Sequence, residues 1–324
     1  MAHGLIDGST MVSGMNEVPW HGLGKVVPGR MTTVEALNLA ELAGWNVQKQ
    51  EIFLADGTKI PDRWATVRMK DMHPLGVVGK DYRVIQNEEM FAFIDDLTND
   101  TSGGKWETAG SLWGGRKVWG LVKVPFIATI GGDSVDNYLL VTGSHDGSTA
   151  FTVAWTPVRV VCQNTLTAAL GQTSGRMYRR HVGEMTGLVS NAREVLGIIE
   201  QQCLSMATVA EQLGNWNPTE TEVTQVLNKL WGDESHPKAK ERVRELAQCG
   251  AGQDPTRPIN GWGLYNGITE YVDHHTPLRD MGDNNQYAAD RRFERVLTGP
   301  GKKLKDDATM IIRQISGIEG TNGV

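Results

Sequence analysis

Cysteine is scarce in this chain: Cys162, Cys203 and Cys249 are the only 3 thiols in 324 residues. Odd in number and far apart, they exclude a disulfide framework and any CxxC metal knuckle, and unpaired thiols suit a reducing compartment. Long apolar runs are missing too. No stretch approaches the roughly 18 residues that a membrane-spanning helix needs. The first ten residues lack both a basic start and an apolar segment, so no secretory signal is expected and the expected location is cytoplasmic. Internal repeats and low-complexity tracts are absent. Nor does positive charge prevail, since a net charge of −6 argues against a surface that binds nucleic acid everywhere.

What is present fits a folded protein. Hydrophobic residues make up 40% and charged residues 22%, which separates the chain from disordered compositions, and the length suits one large domain or two ordinary ones. Charge is unevenly placed: residues 101–190 hold 8 basic and 5 acidic side chains, whereas both flanks are net acidic. An anionic partner is least repelled by this middle third.

The element pattern predicts an α+β fold: a helix–antiparallel β-meander–helix core followed by a helical C-terminal part. Residues 1–75 read as an irregular segment with a short helix and a hairpin, 76–205 as the α+β core, and 206–324 as the helical region. Thr32 and Glu35 form a capping-box pair ahead of an alanine- and leucine-rich helix. Strands are expected at 45–54 and 63–70 around Asp56-Gly57, and again at 82–85. A helix follows with Asn87 as its cap. The meander is expected over 106–112, 118–124, 137–143 and 149–155, with Gly114-Gly115 and Asp146-Gly147 in its turns. Thr156 and Pro157 then read as the cap and first residue of another helix. Helical periodicity returns at 188–199, at 217–231 behind Asn217-Pro218-Thr219-Glu220, at 262–275 and at 304–315.

Chemistry is sparser. On the helix expected from Pro157, Arg159, Gln163 and Thr167 lie four apart, a face able to hold a phosphate or a base edge, although on spacing alone a solvated helix face is the favoured reading. Arg176, Arg179, Arg180 and Tyr178 mix guanidinium groups that grip phosphate with a ring that can stack on a base; an exposed basic linker is the other reading. Lys105, Arg116 and Lys117 flank the first meander hairpin and would extend such a surface. Asp273-His274-His275 and His145-Asp146 are the only dense metal-like spots, but neighbouring histidines on a helix point apart and no HExxH accompanies them, so a polar helix end is the simpler reading and no metal is expected. Gly299-Pro300-Gly301-Lys302-Lys303 departs from a Walker A motif. Cys162 and Ser111 have no base partner, and His21 sits among glycine turns. Trp106, Trp119, Trp155 and Trp231 fall at expected core positions.

Several stretches also carry a resemblance: Trp20-His21-Gly22-Leu23-Gly24, Tyr82-Arg83-Val84-Ile85-Gln86-Asn87, Glu107–Leu112, Leu139 through Ser144-His145-Asp146-Gly147-Ser148 to Leu166, and Tyr265–His274. Together they resemble a phage/plasmid-like protein family built on a domain of unknown function. In fold alone the chain is similar to single-strand annealing proteins of the Rad, RecT and Red-beta type. That resemblance implies a DNA-binding protein that anneals single-stranded DNA without ATP, as a homo-oligomeric ring or filament. From the residues themselves no cofactor and no membrane partner are expected, and on this reading Arg159, Gln163, Arg176, Arg179 and Arg180 would hold the strand, with Lys105, Arg116 and Lys117 in support and Tyr178 as the stacking ring. Two alternatives stand beside it: a non-enzymatic protein that sequesters a host defence factor, and a metal-dependent nuclease around Asp273, His274 and His275.

Overall fold

The computed structural model describes residues 12–13, 25–26, 31–92, 94–95, 103–130, 133–159, 164–165, 176–179, 192–250, 255–277, 291, 294–296 and 299–318. The fold is α+β, and none of its described helices is long and apolar enough to cross a membrane. The chain divides into two units. The first is 1–125 with 138–155 and 176–196; the second is 126–137 with 156–175 and 197–324.

In the first unit, helix α1 (Thr33–Leu39) starts at the expected box: Thr32 accepts from the Glu35 N–H while the Glu35 carboxylate accepts from the Thr32 N–H. A three-stranded antiparallel sheet follows, made of β3 (Val47–Phe53), β4 (Lys59–Arg68) and β5 (His73–Gly79). The strand expected at 82–85 is not formed. Side chains take up the neighbouring backbone instead: Gln86 bonds both the N–H and the carbonyl of Val47, and the Lys49 ammonium donates to the carbonyls of Lys80 and Tyr82. Helix α2 (Asn87–Phe91) has Gln86 and not Asn87 at its N-cap position, with no side-chain cap bond, and the Asn87 side chain is engaged elsewhere.

The larger sheet holds 8 strands among the described residues. Its centre is the expected meander: β6 (Lys105–Leu112), β7 (Lys117–Ile130), β8 (Asp133–Ser144) and β9 (Phe151–Arg159). The short strands β1 (Val12–Ser13) and β2 (Lys25–Val26) extend it beyond β6. On the far side β10 (Asn164–Thr165) and β11 (Arg176–Arg179) both pair with β9. Trp106, Trp119, Phe91, Leu37 and Met90 are completely buried in the first unit, the Phe91 and Trp106 rings meeting edge to face at 5.9 Å.

The helix expected from Pro157 does not begin there. Strand β9 runs through Pro157 to Arg159, and Arg159 lies opposite Asn164 in an antiparallel pair. The β-branched run Val158, Val160, Val161 favours the extended chain, and pairing with β10 supplies a ladder that a local helix-start signal cannot outweigh. Arg159 therefore lies on a strand and not on the expected helix, while Gln163 and Thr167 lie outside the described residues.

The second unit is mainly helical. Helix α3 (Ala192–Asn215) enters it, followed by α4 (Glu220–Trp231), α5 (Pro237–Cys249), α6 (Gly261–Glu270) and α7 (Pro300–Ser316). The α4 box sits two residues later than expected, with Thr219 as cap and Glu222 as its partner. Lys240 in α5 closes the other end of α4, its ammonium donating to the Asn228 side chain at 2.7 Å and to the carbonyls of Gly232 and Asp233. A cation on those carbonyls complements the negative helix end. Helices α5 and α6 meet at Gly267, where a Cβ would lie 2.7 Å from the Ala247 backbone nitrogen; only glycine permits that approach.

Candidate nucleic-acid interface

Strand β11 collects the aromatic-basic segment. Arg176, Met177, Tyr178 and Arg179 pair in register with Ala154, Val153, Thr152 and Phe151 of β9, in an antiparallel ladder on the side of β9 away from β8. The backbone of Arg176, Tyr178 and Arg179 is thus extended on a sheet margin, advancing about 3.3 Å per residue. Gln163 and Arg180 lie outside the described residues, as do Cys162 and His21.

Lys105, Arg116 and Lys117 do not form one patch. Lys105 is exposed at the start of β6, directly opposite Lys123 of β7. Arg116 and Lys117 lie at the turn end of the same hairpin, with Lys117 opposite Leu112. Lys117 and Lys123 are six residue steps apart along β7, about 20 Å. From Trp106 to Leu112 every β6 side chain is buried, Ser111 included, so the strand between the two basic ends offers no surface for a partner.

The Arg116 end is held by a buried polar knot. His145 follows β8 and is completely buried. Its Nε2 lies 2.9 Å from the Asn87 Oδ1, and the Asn87 amide donates to the Leu42 carbonyl at 2.7 Å. With the Asn87 nitrogen committed to Leu42, its oxygen faces the imidazole, so Nε2 carries the hydrogen. The His145 N–H donates to the Arg116 carbonyl at 2.7 Å, and the His145 carbonyl accepts from Thr66 Oγ1 at 2.7 Å. Next to it the Tyr82 hydroxyl donates to the Ser144 carbonyl at 2.7 Å; burial, with Asp146 nearby, pushes that hydroxyl well above its usual range. The Trp45 ring stands 5.6 Å from the His145 ring and under the Arg68 guanidinium. A histidine enclosed in this way has no access to a substrate. Its role is to fix the backbone under the exposed Arg116.

Asp273, His274 and His275 are separated in a different manner. They lie in a π-turn, Tyr271–His275, that continues α6. Both histidines are exposed, whereas the Asp273 carboxylate is buried and accepts from the Lys305 ammonium of α7 at 2.8 Å. Burial lowers the Lys305 pKa and the Asp273 charge opposes that fall. Among the described residues no group of His, Cys, Asp and Glu side chains is arranged to hold a metal ion. Gly299 to Lys303 form the cap and first turn of α7. Sequence inspection missed Lys305 and the Asn87–His145 pair, since 32 and 58 residues separate the partners and no local pattern announces them.

The model of a family described as a domain of unknown function, DUF932, matches residues 74–293, more than half of the chain. No curated protein and no solved structure matches.

Proposed function

We propose, from the premise that the chain belongs to the domain-of-unknown-function family DUF932, that it is a DNA-binding protein of a phage or other mobile element. In this reading it holds single strands and anneals them without a nucleotide cofactor, as a homo-oligomeric ring or filament in the cytoplasm. One observation carries the proposal: β11 places Arg176, Tyr178 and Arg179 within a four-residue strand on the margin of the large sheet. Guanidinium groups bind phosphate oxygens in pairs, and a tyrosine between them is suited to stack on a base. Backbone gripping of this kind leaves base edges turned outward for a complementary strand. Lys105 and Lys123, opposite each other on β6 and β7, add a second basic point.

The test is fluorescence anisotropy with a labelled single strand at rising salt, followed by an annealing assay. Log affinity should fall linearly with log salt at about 0.7 per neutralised phosphate. Replacing Arg176, Arg179 and Arg180 together by alanine should flatten that slope by about 2. Absence of binding at low salt, or an unchanged slope in the folded variant, refutes the proposal. A protein partner is the second reading. It is favoured by the β3–β5 sheet and its turns, where Phe53, Leu54, Met72 and Val77 are all more than half exposed. Capture of a host protein that survives nuclease treatment and is lost in Val77→Lys would support it.

A further inference from the structure

The second unit contains a cavity of about 800 Å³, a size typical of small-molecule sites. Its lining combines two kinds of group that are seldom left facing space together. Trp231, the last residue of α4, and Tyr271, the first of the π-turn, meet edge to face with centroids 5.9 Å apart at 86°. Both line the cavity and both are only partly buried, although the sequence pattern places Trp231 on a core-facing stripe. Arg291 and Arg295 also line it, with Glu294 between them, so two guanidinium groups stand against one carboxylate.

Arg295 is the informative member. Its Nε is buried and finds no hydrogen-bond partner among the described residues. A buried guanidinium N–H without an acceptor costs free energy, and an acceptor supplied by a ligand removes that cost. The residue is held where it is by the start of α7. Gly301 packs so closely that a Cβ would lie 2.7 Å from the Arg295 carbonyl and 3.2 Å from its Cγ. The same helix start also lines the cavity through Gly299 and Pro300, and its cap residue has no side chain to accept the first-turn N–H groups. Fixed guanidinium groups beside an uncapped helix N-terminus attract an anion, phosphate above all. Indole and phenol rings that are only partly buried in the same lining suit a planar base.

We propose that this cavity binds a nucleoside phosphate, with the phosphate on Arg295 and Arg291 at the start of α7 and the base against Trp231 and Tyr271. The site is independent of strand binding at β11. A free nucleotide and the 5′-phosphorylated end of a strand present the same chemistry.

The test is calorimetric titration of the full chain with AMP, GMP, CMP and UMP, compared with the corresponding nucleosides and with inorganic phosphate. At least one monophosphate should bind about tenfold or more tightly than its nucleoside or phosphate alone. Arg295→Gln should lose about tenfold or more of that affinity, and Trp231→Leu should weaken all ligands that carry a base. Should Arg295→Gln not fold, Arg295→Lys retains the charge and stem but not the two-pronged donor, and it should also bind more weakly. The variant lacking Arg176, Arg179 and Arg180 should bind the nucleotide normally, which separates failure of this site from failure of the strand interface. Displacement of the bound monophosphate by a 5′-phosphorylated trinucleotide, and not by its 5′-hydroxyl form, supports the site with a strand end as its ligand; no displacement by either supports it with a free nucleotide. No monophosphate binding at millimolar concentration, equal binding of nucleoside and monophosphate, or wild-type binding by folded Arg295 variants overturns the proposal.

Discussion

Removing the Asp273 carboxylate should cost far more stability than removing the ion pair as a whole. The Lys305 ammonium is completely buried and lies 2.8 Å from a carboxylate that is 3% exposed. At an effective dielectric constant of about 20, two unit charges at that separation attract by roughly 6 kcal/mol, and taking both out of water offsets most of this. The intact pair is therefore close to neutral in net terms, while either half alone is a buried charge stripped of its main counter-charge. Asp273→Asn should destabilise the fold by about 3–5 kcal/mol. The double variant Asp273→Leu/Lys305→Met should lie within about 2 kcal/mol of the wild type, because apolar groups of similar length replace both ions. The pH dependence of the single variant follows from Lys305. Burial already holds its folded-state pKa below 10.5, and removal of Asp273 takes away the charge that opposes this shift. The unfolded chain then binds the proton more tightly than the fold does, so the penalty is full below the folded-state pKa and fades as pH rises towards 10.5. Urea unfolding of the wild type, Asp273→Leu, Lys305→Met and their double variant, with Asp273→Asn alongside, followed by tryptophan fluorescence, measures the coupling directly. Additive costs in that cycle, or a loss below about 1 kcal/mol for Asp273→Asn, would refute the reasoning.

Two further predictions concern the caps and the knot. Glu222 has its pKa lowered below 4.5 by the backbone and hydroxyl of Thr219, as Glu35 does by Thr32. Both carboxylates stabilise the fold fully above that value, and the contribution is lost as pH falls through their lower folded-state pKa values. Wild-type stability should therefore fall more steeply than that of Glu222→Gln over the acid limb of a pH series, and parallel curves would count against the cap. Asn87→Leu should cost about 3 kcal/mol, because it leaves the Leu42 carbonyl and the His145 imidazole, both buried, without the amide that joins them. Chemical denaturation measures the loss, and a change within about 0.5 kcal/mol would show that the knot contributes little.

Local signals were legible in the sequence where a local force decides the outcome. The Thr32–Glu35 box and the meander turns at Gly114-Gly115 and Asp146-Gly147 occur where their residue types require, and so do the apolar stripes of α4, α6 and α7. Helix α5 carries the same kind of stripe in Ala239, Val243, Leu246 and Ala247, hidden among lysines, arginines and glutamates that mask its periodicity. Long-range pairing was not legible. Pro157 has the form of a helix start, yet β9 continues through it because β10 returns alongside, and that return cannot be seen from residues 156–159 alone. The backbone at 82–85 likewise reads as a strand, but the Tyr82 carbonyl accepts from the Lys49 ammonium and the Tyr82 N–H donates to the Gly79 carbonyl.

The resemblance and the chemistry also separate in space. Two of the stretches that carry the resemblance, Tyr82–Asn87 and Ser144–Ser148, lie far apart in the chain and meet in the knot, through Asn87 on His145 and Tyr82 on Ser144. Residues used in this way identify a fold, since their partners are backbone groups and buried rings that no ligand reaches. A net charge of −6 misleads for a related reason: it averages over surfaces that never act together. Any anion binding depends on the field at a particular edge or cavity, and an average over the chain says nothing of places such as β11, with Arg176 and Arg179, or the α7 cavity, with Arg291 and Arg295. If the proposed strand binding at β11 holds, substitutions in the knot should lower stability without changing its salt slope, and substitutions in β11 should do the reverse.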